Sequence, residues 1–184
     1  MTAVNIELRR HRNQAKSTIV RSIHYAPISL ATSWIGVISD THGLVRPEAL
    51  AALKNSELII HAGDIGNPEV LSALEQIAPV LAIKGNNDRD SWARKFPDVF
   101  SVDINTITIR VIHNVNELMA KPPFEQFRVV ISGHSHKPSV ARRQGVLFVN
   151  PGSAGPRRFK LPVSVARLKI RQGKAQARII ELPI

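Results

Sequence analysis

Hydrophobic and polar positions alternate along the chain in two textures. Trp34–Ser39 (WIGVIS) is a short apolar run of strand length, and a polar Asp-Thr-His-Gly follows it. A helical stretch then opens at Pro47 (PEALAALKN), with proline in the favoured first-turn position. Glu57–Ala62 is apolar again and ends in Gly-Asp. A second helical pattern starts at Pro68 (PEVLSALEQIA), and Pro79–Ile83 is a third strand that ends in Lys-Gly-Asn-Asn-Asp. The order β-α-β-α-β predicts a parallel sheet with crossover helices. From residue 99 the texture is β-rich. Val99–Ile104, Thr106–Ile112, Arg128–Ser132, Ser139–Arg142 and Val146–Val149 read as short strands. Val163–Ile170 and Ala175–Leu182 flank Arg171-Gln172-Gly173, a hairpin turn. Helices in this half are confined to Asn116–Met119 and Pro123–Gln126. The expected architecture is two packed sheets with helices outside.

The chemistry stands at the strand ends. Asp40 and His42 follow the first strand and Asp64 the second. Asn86, Asn87 and Asp88 follow the third. His113 comes after Thr106–Ile112, His134 and His136 after Arg128–Ser132, and Asn-Pro-Gly-Ser after Val146–Val149. Ligands of open α/β sheets bind beyond the carboxyl ends of the strands. In extended backbone the i, i+2 pairs Asp40/His42 and His134/His136 would point to one side. Taken singly, each group is ordinary turn chemistry; the ordered set points to a metal site. Carboxylate, amide oxygen and imidazole without thiolate suit Mn²⁺, Fe²⁺, Zn²⁺, Ni²⁺ or Co²⁺. Asp40, His42, Asp64 and His136 could hold one ion. Asp64, Asn86, His113 and His134 could hold a second, with Asp64 as the bridge. Two such ions against two aspartates leave about two positive charges, which favour a phosphate ester and its developing negative charge.

Composition narrows the alternatives. The chain has 184 residues, 43% of them hydrophobic and 21% charged, so one domain with a real core is expected. There is no cysteine, which excludes a disulfide framework, a thiolate zinc site and a cysteine nucleophile and agrees with a cytoplasmic location. No apolar run reaches the ~20 residues of a membrane span, and no membrane association is expected. The net charge of +11 is uneven. Residues 1–33 carry five basic side chains against one acid, residues 157–184 eight against one, and the stretch between is balanced. Residues 1–33 are therefore read as a basic, loosely ordered extension with a short helix around Asn5–Lys16, and residues 34–184 as the folded domain. The basic ends leave nucleic acid open as a partner. A homo-oligomer is also left open.

The strings VISDTHG, IIHAGDIG, IKGNNDRD, VISGHSHKP and FVNPGSAGPRR resemble the calcineurin-like metallophosphoesterase superfamily. Its pattern is D-x-H, GD, GN-x-[DE], H and GH-x-H in that order. Within it the chain is similar to the small YfcE-like and MJ0936-like phosphodiesterases, a group that includes the retromer subunit VPS29. The resemblance covers residues 34–182. It implies a four-layer α/β/β/α sandwich. It also implies a dinuclear centre, Mn²⁺ being the leading metal, that cleaves phosphate esters through a bridging hydroxide. The metal ligands it implies are Asp40, His42, Asp64, Asn86, His113, His134 and His136. The alternative it implies is a VPS29-like interaction scaffold with little or no catalysis. Asn87 stands where the larger phosphatases carry a histidine used as general acid, and an amide has no titratable proton to give. Asp88 is a candidate for orienting water or the metal shell. Asn114 and Val115 follow His113 where the family often has Gly and a further His.

Overall fold

The computed structural model describes residues 22–31, 34–120 and 126–184. The expected helices at Asn5–Lys16 and Pro123–Gln126 fall wholly or mainly outside these residues. The first half runs β1 (Ser22–Ile28), β2 (Trp34–Ile38), α1 (Pro47–Leu53), β3 (Leu58–His61), α2 (Pro68–Glu75) and β4 (Val80–Ala82). After a 3₁₀ turn at Ser91–Lys95 come β5 (Val99–Ile104), β6 (Ile107–Ile112), α3 (Val115–Met119) and β7 (Val129–Ile131). β8 (Ser139–Arg143), β9 (Val146–Asn150), β10 (Ser164–Arg171) and β11 (Lys174–Glu181) complete the chain.

Two sheets result. One has the order β1-β5-β6-β7-β9-β8, the other β11-β10-β2-β3-β4. β2, β3 and β4 are parallel, as the β-α-β-α-β reading requires. β6, β7 and β9 are parallel in the other sheet. The sheets face each other across the largest apolar cluster. Ile35, Val37, Leu58 and Ile60 supply one side, and Phe100, Val102, Ile109, Val111, Val129 and Ile131 the other. A second cluster packs Leu53 of α1 and Val70, Leu71 and Leu74 of α2 onto Ile59 and Val165. A third, smaller one sets Leu118 of α3 against Val99, Ile112 and Val130. These three cores make four layers, α/β/β/α, with the last reduced to one five-residue helix. No helix among the described residues is long and apolar enough to cross a membrane.

The extension read over residues 1–33 needs correction at its end. Ser22–Ile28 is not loose: it is a strand, paired in parallel with β5 from Ser22↔Val99 to Ile28↔Ile104. Ile23 is buried and Tyr25 packs edge-on against Phe100, with ring centroids 5.0 Å apart. Pro27 sits in this strand, where an edge position tolerates its missing N–H. Only the facing strand, more than seventy residues away, reveals the pairing.

Candidate metal centre

Because β2, β3 and β4 are parallel in one sheet and β6, β7 and β9 in the other, the loops beyond their carboxyl ends meet at one end of the sandwich. Backbone bonds lace them together. Asp40 N–H donates to Gly63 O at 3.0 Å, His42 N–H to Asp64 O at 3.0 Å and Gly43 N–H to Ile65 O at 2.8 Å. Gly133 N–H donates to His113 O at 3.0 Å, and Gly155 N–H to Asp40 O at 3.1 Å. The sheets are joined directly by His134 N–H, which donates to Asp40 Oδ2 at 3.1 Å. Such approach explains two glycines. A Cβ at Gly133 would strike Ser39 Oγ, and one at Gly85 would strike Asp64 Oδ1.

All seven side chains proposed as ligands converge here. His136 Nε2 lies 3.3 Å from Asp40 Oδ1 and 3.4 Å from His42 Nε2. Asp64 Oδ2 lies between two rings, 3.5 Å from His113 Nε2 and 3.9 Å from His42 Nε2. His134 Nδ1 is 3.0 Å from Asn86 Oδ1, and the His134 and His113 ring centroids are 5.2 Å apart. Asp40, His42 and His136 bring their ligand atoms within 4.8 Å of one another, and so do Asp40, Asp64 and His113. The route to convergence differs from the extended-pair reading. Asp40, His42, Asp64, His134 and His136 have φ of 53°, 47°, 55°, 67° and 58°. Five non-glycine residues in the left-handed region represent strain of order 1–2 kcal/mol each. The lacing of the loops outweighs it.

Hydrogen bonding leaves some of the donor atoms unpaired. Among the described residues, Asp40 Oδ1, His113 Nε2 and His136 Nδ1 are buried without a hydrogen-bond partner. Buried polar atoms rarely stay unpaired, so the first two, which face the other donors, fit a cation; His136 turns its Nε2 and not its Nδ1 toward Asp40. His113 Nδ1–H donates to Ala62 O at 2.8 Å, which turns the Nε2 lone pair toward Asp64. Ser39 Oγ–H donates to Asp40 Oδ2 at 2.6 Å. Beneath lies His61, fully buried. Gly63 N–H donates to its Nδ1, so Nε2–H donates to Thr41 Oγ1, which passes a bond to Ile65 O at 2.8 Å. Ser39 and Thr41 escaped the sequence reading because serine and threonine beside a motif look like turn chemistry.

The electrostatics divide the groups. Burial pushes Asp40 up to about 6, against the bond from Ser39. Burial would also raise Asp64, but the His113 imidazole 3.5 Å away and the bonds from Asn87 outweigh it and hold it well below the usual carboxylate range. Burial lowers His42, and it lowers His136 to about 4 with help from the charge of Arg158. Burial also takes His61 down to about 3. His113 moves up: burial opposes this, but Asp64 and the Ala62 carbonyl prevail. His42 and His136 are therefore neutral at neutral pH, as metal binding needs.

Asn87 and Asp88 behave differently from each other. Asn87 donates twice to Asp64, from its backbone N–H to Oδ1 at 2.9 Å and from Nδ2 to Oδ2 at 2.6 Å. Asp88 is not available for orienting water. Its Oδ2 accepts from Ile65 N–H and Gly85 N–H at 3.0 and 2.8 Å, and its Oδ1 from Gly66 N–H at 2.8 Å. It clamps the loop that carries Asp64 to the loop that carries Asn86. Of the two arginines after the Asn-Pro-Gly-Ser loop, Arg157 donates to Ile184 O at 3.1 Å, whereas Arg158 is felt at both His42 and His136.

The calcineurin-like phosphoesterase superfamily domain matches residues 34–173. The chain belongs to this superfamily. A probable metallophosphoesterase of Methanothermobacter thermautotrophicus is 37% identical over 160 residues, covering 79% of this chain and 91% of the relative. The superfamily chain also superimposes on a solved archaeal phosphodiesterase with a TM-score of 0.65 and 25% identity, covering 80% of this chain and 99% of that one. Vps29 of Entamoeba histolytica, solved with Zn²⁺, shares the fold with a TM-score of 0.63 at 20% identity, over 80% of this chain and 98% of that one. A phosphodiesterase and a Vps29 are thus both among the solved structures that share this fold.

Proposed function

We propose that this protein is a phosphodiesterase that works with two divalent ions, Mn²⁺ being the leading choice. The observation that carries the reading is the set of seven donor side chains at one end of the sandwich, where the buried Asp40 Oδ1 and His113 Nε2 have no hydrogen-bond partner. A pure scaffold has no need to hold five left-handed residues and two orphaned donors together. Divalent ions supply Lewis acidity toward phosphoryl oxygens and lower the pKa of an attacking water. The chain does the rest. Asp40, His42 and His136 would hold one ion and Asn86, His113 and His134 the other, with Asp64 between. Asn87 and Asp88 fix Asp64, the first through its carboxylate and the second through its loop. Arg158 adds a positive charge at the His42/His136 side, suited to a non-bridging phosphate oxygen. Asn87 cannot protonate a leaving group, so esters of acidic alcohols or phenols are the better substrates. A small phosphate ester is the expected partner.

The test is metal-depleted protein assayed with an aryl phosphodiester and an aryl phosphomonoester, Mn²⁺, Ni²⁺, Zn²⁺ and Mg²⁺ being added back singly. Turnover restored by Mn²⁺, faster on the diester, is expected. No turnover with any ion would transfer the fold to the Vps29-like scaffold reading.

A further inference from the structure

Away from the metal centre, the hairpin β10–β11 carries an unusual charge pattern on its outer face. Register pairs Arg167 with Arg178, Lys169 with Gln176 and Arg171 with Lys174. The alternate positions Leu168, Ile170 and Ala175 point into the core between the sheets. Five cations and one amide therefore share one face over about 13 Å of strand, with two like-charged pairs set directly opposite. Such pairs are destabilising. Trp34 at the start of β2 softens the repulsion: Arg167, Lys169 and Arg178 lie 5.8, 5.0 and 5.7 Å from its ring centroid. Among contacts with the described residues, only Arg167 has another task, donating to Ala52 O and Lys54 O at the end of α1. Arg171, Lys174 and Arg178 are exposed.

The positive surface continues around the sheet edge. A cleft of about 320 Å³ lies between β11 and the six-stranded sheet. Thr106, Arg128, Arg142, Gly145, Lys174 and Gln176 are among its lining residues, and no carboxylate is. Arg142 is fixed there by its bond to Ala175 O at 2.6 Å. Thr106, Arg128 and Gly145 directly precede β6, β7 and β9, and Lys169 pairs with Trp34 at the amino end of β2. This face thus sits at the end of the sandwich opposite the metal loops.

We propose that the outer face of β10–β11 and the adjoining cleft form a docking surface for a nucleic-acid strand, held through its phosphates. Charge complementarity selects a polyanion, and the planar forks of Arg171, Arg178 and Arg128 suit phosphate. A membrane surface would call for apolar side chains to insert. None of the exposed large apolar residues, Leu44, Val140, Phe159 and Ile184, stands on these two strands. The surface is independent of hydrolysis at the metal centre.

The test measures anisotropy of a fluorescein-labelled single-stranded oligonucleotide against the full chain, in EDTA and across a salt series. Arg171→Gln/Lys174→Gln/Arg178→Gln should bind about ten-fold more weakly or worse. Its log-affinity slope against log salt should shrink by about 2, since each lost phosphate contact removes about 0.7. Arg128→Gln should weaken binding through the cleft alone. All variants are surface changes and should melt at or above the thermal midpoint of the parent, since the triple variant relieves both like-charge pairs. The proposal is overturned if the triple variant binds like the parent, or if only Arg9→Gln/Arg10→Gln/Arg12→Gln abolishes binding. It is equally overturned if anionic vesicles or polyglutamate are bound as tightly as the oligonucleotide.

Discussion

Asp40 shows how the site sets residue against fold. Its carboxyl is fully buried and pushed up to about 6. A folded-state pKa above the unfolded 3.8 means that the metal-free fold takes up a proton in between. The penalty is absent below about pH 4 and complete above about pH 6. Asp40→Asn should therefore stabilise metal-free protein at about pH 8, by up to about 3 kcal/mol, and leave it unchanged at about pH 4. The same variant should lose metal. Chelated protein melted at both pH values checks this; an equal effect at the two would show that the carboxyl is ordinary. Asp64→Asn should be the most damaging change to activity, emptying both sites, because an amide is a poor bridging ligand. His113→Ala should empty mainly one site. Asn87→Ala should keep both ions and lose less activity, since it removes only a grip on Asp64. Activity and metal content of the three variants, compared at matched folding, decide the order. Arg158→Ala should raise KM about ten-fold, near 1.4 kcal/mol, with metal content unchanged; an unaltered KM would place Arg158 outside the substrate's reach.

Among elements, β1 carries the clearest consequence. A truncation after residue 33 would remove a strand that buries Ile23 and pairs Tyr25 with Phe100. Deleting residues 1–21 should leave the thermal midpoint and hydrolysis of a small diester near those of the parent, since no ligand lies there. Deleting residues 1–32 should cost about 3 kcal/mol, from one buried isoleucine and one aromatic pair. Melting curves of the two truncations separate the cases, and equal midpoints would mean that β1 contributes nothing. The alternation in SIHYAPI was open to reading as a strand, but the basic residues before it and Pro27 within it masked the pattern. In contrast β2, β3, β7 and β9 announced themselves, because buried parallel strands are nearly continuous apolar runs.

For the whole molecule, the titrations oppose one another. His61 and His136 stay neutral in the fold, so stability is lost as pH falls below the unfolded 6.5. Asp40 acts from the other side as pH rises to about 6. Two imidazoles set against one carboxyl leave a net gain with rising pH, so metal-free protein should gain stability up to about pH 6.5, above which the raised His113 turns the curve down; saturating metal should raise stability by about 3 kcal/mol at a hundred-fold excess over Kd. Thermal scans across pH with and without Mn²⁺ test it; coincident curves would remove the metal from the centre.

The order of the candidate donors, from Asp40 to His136, can be read along the chain, because a run of apolar residues that stops at an aspartate or histidine is a local pattern. The α/β/β/α layering followed from the same local runs together with the resemblance they carried. What each donor does was not local. Asp88 looks as free as Asp64 until three backbone amides from two loops are seen to close on it. The left-handed φ of Asp40 and His134 exists only because loops from different sheets are laced through Asp40 Oδ2 and the His134 amide. The basic residues of the last strands could be counted in the sequence. Only the antiparallel register, set by packing against β2, turned Arg171, Lys174 and Arg178 onto one face. Donor type and hydrophobic period belong to neighbouring residues, whereas pKa, backbone strain and shared faces arise from segments far apart in the chain and close in space.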